Sequence, residues 1–323
     1  MKYNDFASFY LSLNGKDNDA NTKWKEMNEK YKAANRTGNI VMTIVNLPII
    51  FVIIVSVLHY RLQLQSLIIA LPLTFAMIMI DFIILLMANI LVGGGEVSQF
   101  NREYKYNIIN KLLENFVDEL DYVPLKGISS KIYDETEYKD EYNEFESDDY
   151  FEGKIGTKKV VMADVDAKLI TTEKDDEGNT HTETTTIFNG LFGKIFMDKS
   201  IDADISIIRG KTYSFGKMQK VDMDFRGFEE LFTVLSDNNM VAMQLLTIDV
   251  QEDILELYNN AKLDFDIIIK NNNMYVFFET GDMFEVYSSR YSPKEVLEKY
   301  FEIMKFITRI VEKISKAIGD IQI

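Results

Sequence analysis

The chain has 323 residues, with 51 Asp and Glu against 35 Lys and Arg and a formal net charge of −16. That excess of acid sets it against phosphate backbones and excludes an ordinary nucleic-acid binder. Cysteine is absent and His59 and His181 are the only histidines, so disulfides, thiolate zinc sites and two-histidine metalloprotease motifs are excluded and a Ser-His-Asp arrangement has no support.

Residues 1–39 form a polar lead-in with short apolar stripes at helical spacing, first Phe6, Tyr10 and Leu13, then Trp24, Met27 and Tyr31. Two apolar runs follow, Ile40 to Leu58 and Ser66 to Val92, joined by the connector His59 to Gln65. The first has no acidic or basic residue and, at about 1.5 Å per residue, reaches roughly 28 Å; the second holds a single charge, Asp81. Residues 40–92 are therefore expected to form a two-helix transmembrane hairpin (40–58 and 66–92), with the lipid bilayer as integral partner. Lys23, Lys25, Lys30, Lys32 and Arg36 precede the first run, and Arg102, Lys105 and Lys111 follow the second, against Arg61 alone in the connector. The positive-inside rule then puts both termini in the cytoplasm.

Inside that hairpin Asp81 is the candidate polar site. Counted inward from Ser66 it lies about 22 Å deep, level with Thr43 and Asn46 of the first run. An ionised carboxylate at that depth costs about 2.5 to 3.5 kcal/mol, which calls for protonation or for hydrogen bonds from Thr43, Asn46 or a second subunit. Pro48 and Pro72 each free a helix carbonyl and predict bends.

Gly93 to Gly95 offer a bend, and residues 93–144 are expected to form connecting helices on the cytoplasmic side. Phe100, Tyr104, Ile108, Leu112, Phe116 and Leu120 recur at three- to four-residue spacing, which gives one apolar face whose natural mate is the Trp24 and Tyr31 stripe, with the α+β domain or another subunit equally compatible.

From Phe145 the period falls to two, and residues 145–323 are expected to be an acidic α+β domain. Val161, Ala163, Val165, Ala167 and Leu169 read as a strand buried on one face, Asp175 to Asn179 as a turn, and Thr184 to Ile187 as the return strand. An EF-hand alignment of that turn places Glu173 first and Thr184 twelfth, where the loop wants Asp and Glu. Ile205 to Ile208 and Phe228 to Leu235 add apolar strands. A helix over Asp249 to Asn260 opens on an Asp249 and Glu252 pair at capping-box spacing. Leu263 to Ile269 and Met274 to Phe278 form a hairpin about Asn271 to Asn273, and a last helix starts at Ser292, Pro293 and Glu295 and ends near Gly319.

Gly190 to Lys194 lacks the P-loop spacing. Acidic pairs such as Asp148 with Asp149, or Asp202 with Asp204, are common in so acidic a chain and do not by themselves indicate acid-base chemistry. No catalytic, cofactor or metal residue is assigned.

The segments Asp149 to Ile155, Phe188 to Phe192, Phe228 with Phe232, Val234, Ser236 and Asp237, Leu245 to Thr247, and Met283 to Glu285 resemble a bacterial two-span membrane protein family catalogued as a domain of unknown function. The resemblance implies a lead-in helix, a transmembrane hairpin and a cytoplasmic α+β domain in the bacterial cytoplasmic membrane, and it carries no catalytic residues. The expected fold class is thus α+β: a transmembrane hairpin with cytoplasmic helices and an antiparallel β-rich domain closed by a C-terminal helix. The expected function is a membrane-anchored interaction or scaffolding module with a protein partner or a second copy of itself. A transport or channel subunit using Asp81 is the alternative, and an enzyme of unrecognised type comes third.

Overall fold

A computed structural model describes residues 1–15, 18–30, 94–137, 141–174, 180–210, 218–286 and 290–320, with scattered positions between 32 and 83. The chain divides into two compact units, one of Met1–Asn14, Lys105–Val286 and Glu295–Ile323, the other of Gly15–Tyr104 and Tyr287–Lys294.

The first unit is built on nine strands: β1 (Asp118–Val123), β2 (Glu144–Ile155), β3 (Lys158–Lys174), β4 (Thr180–Phe196), β5 (Ile205–Arg209), β6 (Gln219–Val221), β7 (Phe232–Ser236), β8 (Phe265–Lys270) and β9 (Asn273–Phe278). They form one sheet in the order β1-β2-β3-β4-β9-β8-β5-β7-β6, and every pairing is antiparallel. Local chemistry sets the tight turns. Asn271 and Asn272, at φ 51° and 61°, make the left-handed two-residue turn that matches strand twist between β8 and β9. Gly156, at φ 60°, opens the turn between β2 and β3.

Both faces of the sheet are covered. Phe188, Phe192 and Phe277 point to one face, where the short helix Ser130–Asp134 drives Tyr133 among them at ring separations of 6.3, 5.2 and 5.6 Å. Phe265 and Phe278 point to the other, against Phe306 of the C-terminal helix Pro293–Asp320, at 5.5 and 6.0 Å. Phe301 of the same helix meets Phe6, Phe9 and Phe116, so the helix Phe6–Ser12 and the helix Asn110–Phe116 join that layer. Each buried aromatic removes a large apolar area from water, and such area is the dominant favourable contribution to folding.

Several sequence expectations change here. β3 is buried on both faces through Val160, Val161, Met162, Ala163, Asp164 and Val165 rather than on one, because a central strand covered by helices on both sides has no solvent face. Leu120 lies in β1 instead of extending the helical stripe: Val117 turns extended at φ −118° and ends the helix after Phe116. Phe228 sits in the helical turn Arg226–Glu229 ahead of β7. The helix Ile248–Ala261 has Thr247 as its N-cap with no side-chain cap bond, and Asp249 falls in its first turn.

The expected transmembrane hairpin is also corrected. Among the described residues no helix is long and apolar enough to cross a membrane. An apolar run becomes a span only as a continuous helix of about 20 residues. Within 40–58 and 66–92 only scattered helical positions are described, among them Asn46, Pro72 and Thr74 to Ala76, while Asp81, Thr43 and Pro48 lie outside the described residues.

In the second unit residues 18–30 are helical and run antiparallel to the helix Gly94–Tyr104, tied to it by Lys23 to Glu103 at 2.8 Å and Lys30 to Glu96 at 3.1 Å. Met27, Phe100 and Tyr104 are buried. Both ion pairs are exposed, so they set register more than they add stability.

Candidate functional site

A strongly acidic concavity of the first unit is a cleft of about 620 Å³ lined by Glu146, Asp148, Asp149, Asp164, Asp166, Asp282 and Glu285, with Ser147, Val165 and Met283. Strand register builds its floor. Asp148 on β2 stands directly across from Asp164 on β3, and the pairing slips immediately afterwards, between Asp148 and Phe151. Asp149 occupies that bulge at φ 53°, a left-handed conformation that Asp tolerates better than most residues. The bulge lets consecutive carboxylates serve one site. Strict alternation would send Asp149 to the opposite face of the sheet from Asp148.

Lys105 supplies the counter-charge. It opens the π-helical turn Lys105–Ile109, an insertion that re-aims the helix face. Its buried ammonium donates to Asp149 Oδ2 at 2.6 Å, reaches Glu285 Oε1 at 2.7 Å, and lies 4.0 Å from Asp148. Tyr122 of β1 donates to the other Asp149 oxygen at 2.5 Å. Burial acts to lower the Lys105 pKa, but the Asp149 and Glu285 carboxylates outweigh it and hold the ammonium at about 12. Burial pushes Asp149 up to about 6 against the pull of Lys105 and Tyr122. The Tyr122 hydroxyl is driven far up by burial and by the carboxylates around it, so it stays a donor.

Asp164 is the odd member. It is 7 % exposed, one oxygen accepts from the Met283 amide, and the other, Oδ1, is buried with no hydrogen-bond partner among the described residues. Burial raises its pKa well above the ordinary carboxylate range; the Met283 amide opposes this and Asp149, Asp148 and Asp282 add to it. One oxygen from each of Asp148, Asp149 and Asp164 lies within 4.8 Å of the others.

Ser147 is not a free nucleophile. Its hydroxyl donates to the Asp164 carbonyl at 2.6 Å and accepts from the Ile128 amide at 3.0 Å. Such bonding marks a structural serine rather than one activated by a base.

Of the residues singled out in the sequence, Asp81 and Thr43 lie outside the described residues, and Asn46 is a half-buried helical position. His59 also lies outside them, while His181 is an exposed position of β4 opposite Glu173. Gly190 to Lys194 form part of β4, with Phe192 in the core and Lys194 paired to Glu135 at 2.5 Å. Sequence reasoning passed over the cleft. Asp148 and Asp149 read as an ordinary acidic pair, Lys105 as one of the basic residues following the second apolar run, and Asp164 carried no mark. An acid inside the apolar run Val160 to Val165 was the one local signal.

No curated protein and no solved structure matches the chain. A family match divides the sheet: Asp282 and Glu285 fall inside it, whereas β1 to β3, with Asp148, Asp149 and Asp164, precede it. Residues 186–316 match the family model described as protein of unknown function (DUF3137), and the chain carries a DUF3137 domain, of unknown function, over that stretch.

Proposed function

We propose that the sheet-based unit is an interaction module whose acidic cleft receives cationic side chains of a partner protein. One observation carries this reading. Seven carboxylates line the cleft, where the Lys105 ammonium pairs with Asp149 and Glu285 and that of Lys168 with Asp166, so the site already holds lysine head groups and retains an excess of carboxylates around them. A low-dielectric concavity of one sign focuses the field and raises the local concentration of opposite charge. The exposed rim carboxylates of Glu146 and Asp282 line the same cleft and extend its negative field, whereas Asp166 is already paired with Lys168 at 2.6 Å. Ser147 is committed to backbone bonds and His181 stands on a different strand, which favours binding over nucleophilic chemistry.

The test is fluorescence anisotropy of a labelled Lys-rich peptide and a Glu-rich control against the full chain, with EDTA present throughout. The basic peptide should bind, weaken steeply between low and physiological salt, and lose most of its affinity to the rim variant Glu146→Gln/Asp282→Asn. Equal binding of both peptides, or an undiminished rim variant, overturns the reading.

A further inference from the structure

We propose that Asp148, Asp149 and Asp164 form a binding site for a hard divalent cation of calcium type at the floor of the cleft. The geometry comes first. A single ion with ligand oxygens at about 2.3–2.6 Å separates opposite oxygens by roughly 5 Å, and the three carboxylates each bring an oxygen within 4.8 Å of the others. A smaller ion such as magnesium, at about 2.0–2.1 Å, separates opposite oxygens by roughly 4 Å and demands a near-octahedral set, which calcium does not.

A second observation is independent of that clustering. Asp164 is more than nine-tenths buried, lines the cleft, and leaves Oδ1 without a hydrogen-bond donor among the described residues. Buried carboxylate oxygens are ordinarily paired or ligated, and an orphan of this kind points to a missing partner. An amide donor would serve one oxygen; Met283 already does so for Oδ2. Asp164 brings an oxygen close to two further carboxylates in the cleft, where a cation is the partner that lowers the energy of all three.

Donor chemistry narrows the class. The set is all carboxylate, with no imidazole and no thiolate, which suits calcium, magnesium or manganese and not zinc or copper. Lys105 engages Asp149 through Oδ2 and stands 4.0 Å from Asp148, so it balances part of the charge and none of Asp164. The open cleft gives an ion its route in and leaves room for the waters that complete six to eight ligands. The site lies on β2 and β3, well away in sequence from the turn after Lys174 that the EF-hand spacing rejected.

The full chain, stripped with EDTA, is titrated with calcium chloride alone and with magnesium chloride alone by calorimetry, with thermal unfolding followed in parallel. One calcium per chain should bind, more tightly than magnesium, and unfolding should move to higher temperature as calcium is added. Asp164→Asn should abolish the heat. Asp148→Asn, whose side chain is half exposed and bound less tightly into the fold, should weaken calcium by about tenfold or more while keeping the wild-type circular dichroism. Asp222→Asn, on an exposed carboxylate elsewhere, should bind as wild type. No saturable calcium binding, or binding unchanged in both Asp148→Asn and Asp164→Asn, overturns the proposal. The peptide experiment contains EDTA, so failure of either reading is visible without the other.

Discussion

Gly190 of β4 lies so close to Phe278 of β9 that a Cβ built on it stands 2.1 Å from the Phe278 carbonyl oxygen. The same Cβ meets the Thr280 amide at 2.7 Å, and the backbone there is at φ 153°, a region that side-chain-bearing residues rarely adopt. Gly190→Ala therefore forces β4 and β9 apart and should cost about 3 kcal/mol or more. Urea unfolding checks it against Gly319→Ala, where no atom lies within 4 Å of the new Cβ. That control should be neutral or gain up to about 0.5 kcal/mol.

Lys105 and Asp149 make the second prediction. Removing the ammonium leaves Asp149 buried with an uncompensated charge, so Lys105→Met should destabilise the unit by about 3–5 kcal/mol. Lys105→Met/Asp149→Asn removes both charges and should recover much of that loss. A double-mutant cycle on denaturation midpoints measures the coupling.

Tyr133 separates packing from hydrogen bonding. It is 2 % exposed and its ring also stands 5.6 Å from Tyr142 and 5.5 Å from Phe145. Tyr133→Ala should cost about 3–5 kcal/mol through the cavity it leaves. The hydroxyl is buried with no hydrogen-bond partner among the described residues. Tyr133→Phe should accordingly be neutral or stabilising, since it removes a polar group that gains nothing from burial. Paired thermal melts of the two variants decide it.

Glu135 gives a pH dependence. It caps the helix Ser130–Asp134, accepts from Lys194 at 2.5 Å and from Tyr275 at 2.7 Å, and so ties that helix to β4 and β9. Burial acts to raise its pKa, but these two donors outweigh it and hold the carboxyl below its ordinary value of 4.5. A carboxyl depressed in the fold adds stability that is complete above its unfolded value and is lost as pH falls through the folded one. Wild type should therefore lose more stability between pH 5 and pH 3 than Glu135→Gln, and the two should converge at the acid end. Because Glu135 is largely exposed, the difference is modest. Urea midpoints across that range measure it.

Local signals made much of the sheet legible in the sequence. The alternation from Val161 to Leu169, the Asn271 and Asn272 turn, and the Pro293 start of the last helix are short-range features, and β3, the β8 and β9 hairpin and the C-terminal helix stand there. What failed was information that a local window does not hold. Leu120 kept helical spacing with Phe116, yet the chain had already turned extended at Val117. Period two reported the face of β3 carrying Ala163 and was silent on the one carrying Val160, Met162 and Asp164. The apolar runs at 40–58 and 66–92 met a composition test for spans, and among the described residues no helix is long and apolar enough to cross a membrane. The cleft was hidden for a related reason. Its ammonium and one of its carboxylates, on Lys105 and Glu285, stand far apart in the chain, and only a bulge lets Asp148 and Asp149 share one face.

The strand order also dictates a timetable for synthesis. β1 to β4 leave the ribosome as a self-contained meander, but the partner of β4 is β9, made only after β5 to β8 and the helices between them. Until β9 emerges, β4 presents an open hydrogen-bonding edge at Leu191, Phe192 and Ile195, all of which end fully buried. An unpaired apolar edge of that kind recruits other strands. The nascent chain thus exposes that edge between about residue 196 and residue 278, and slow closure by a long-range pairing sets the pace of the whole sheet.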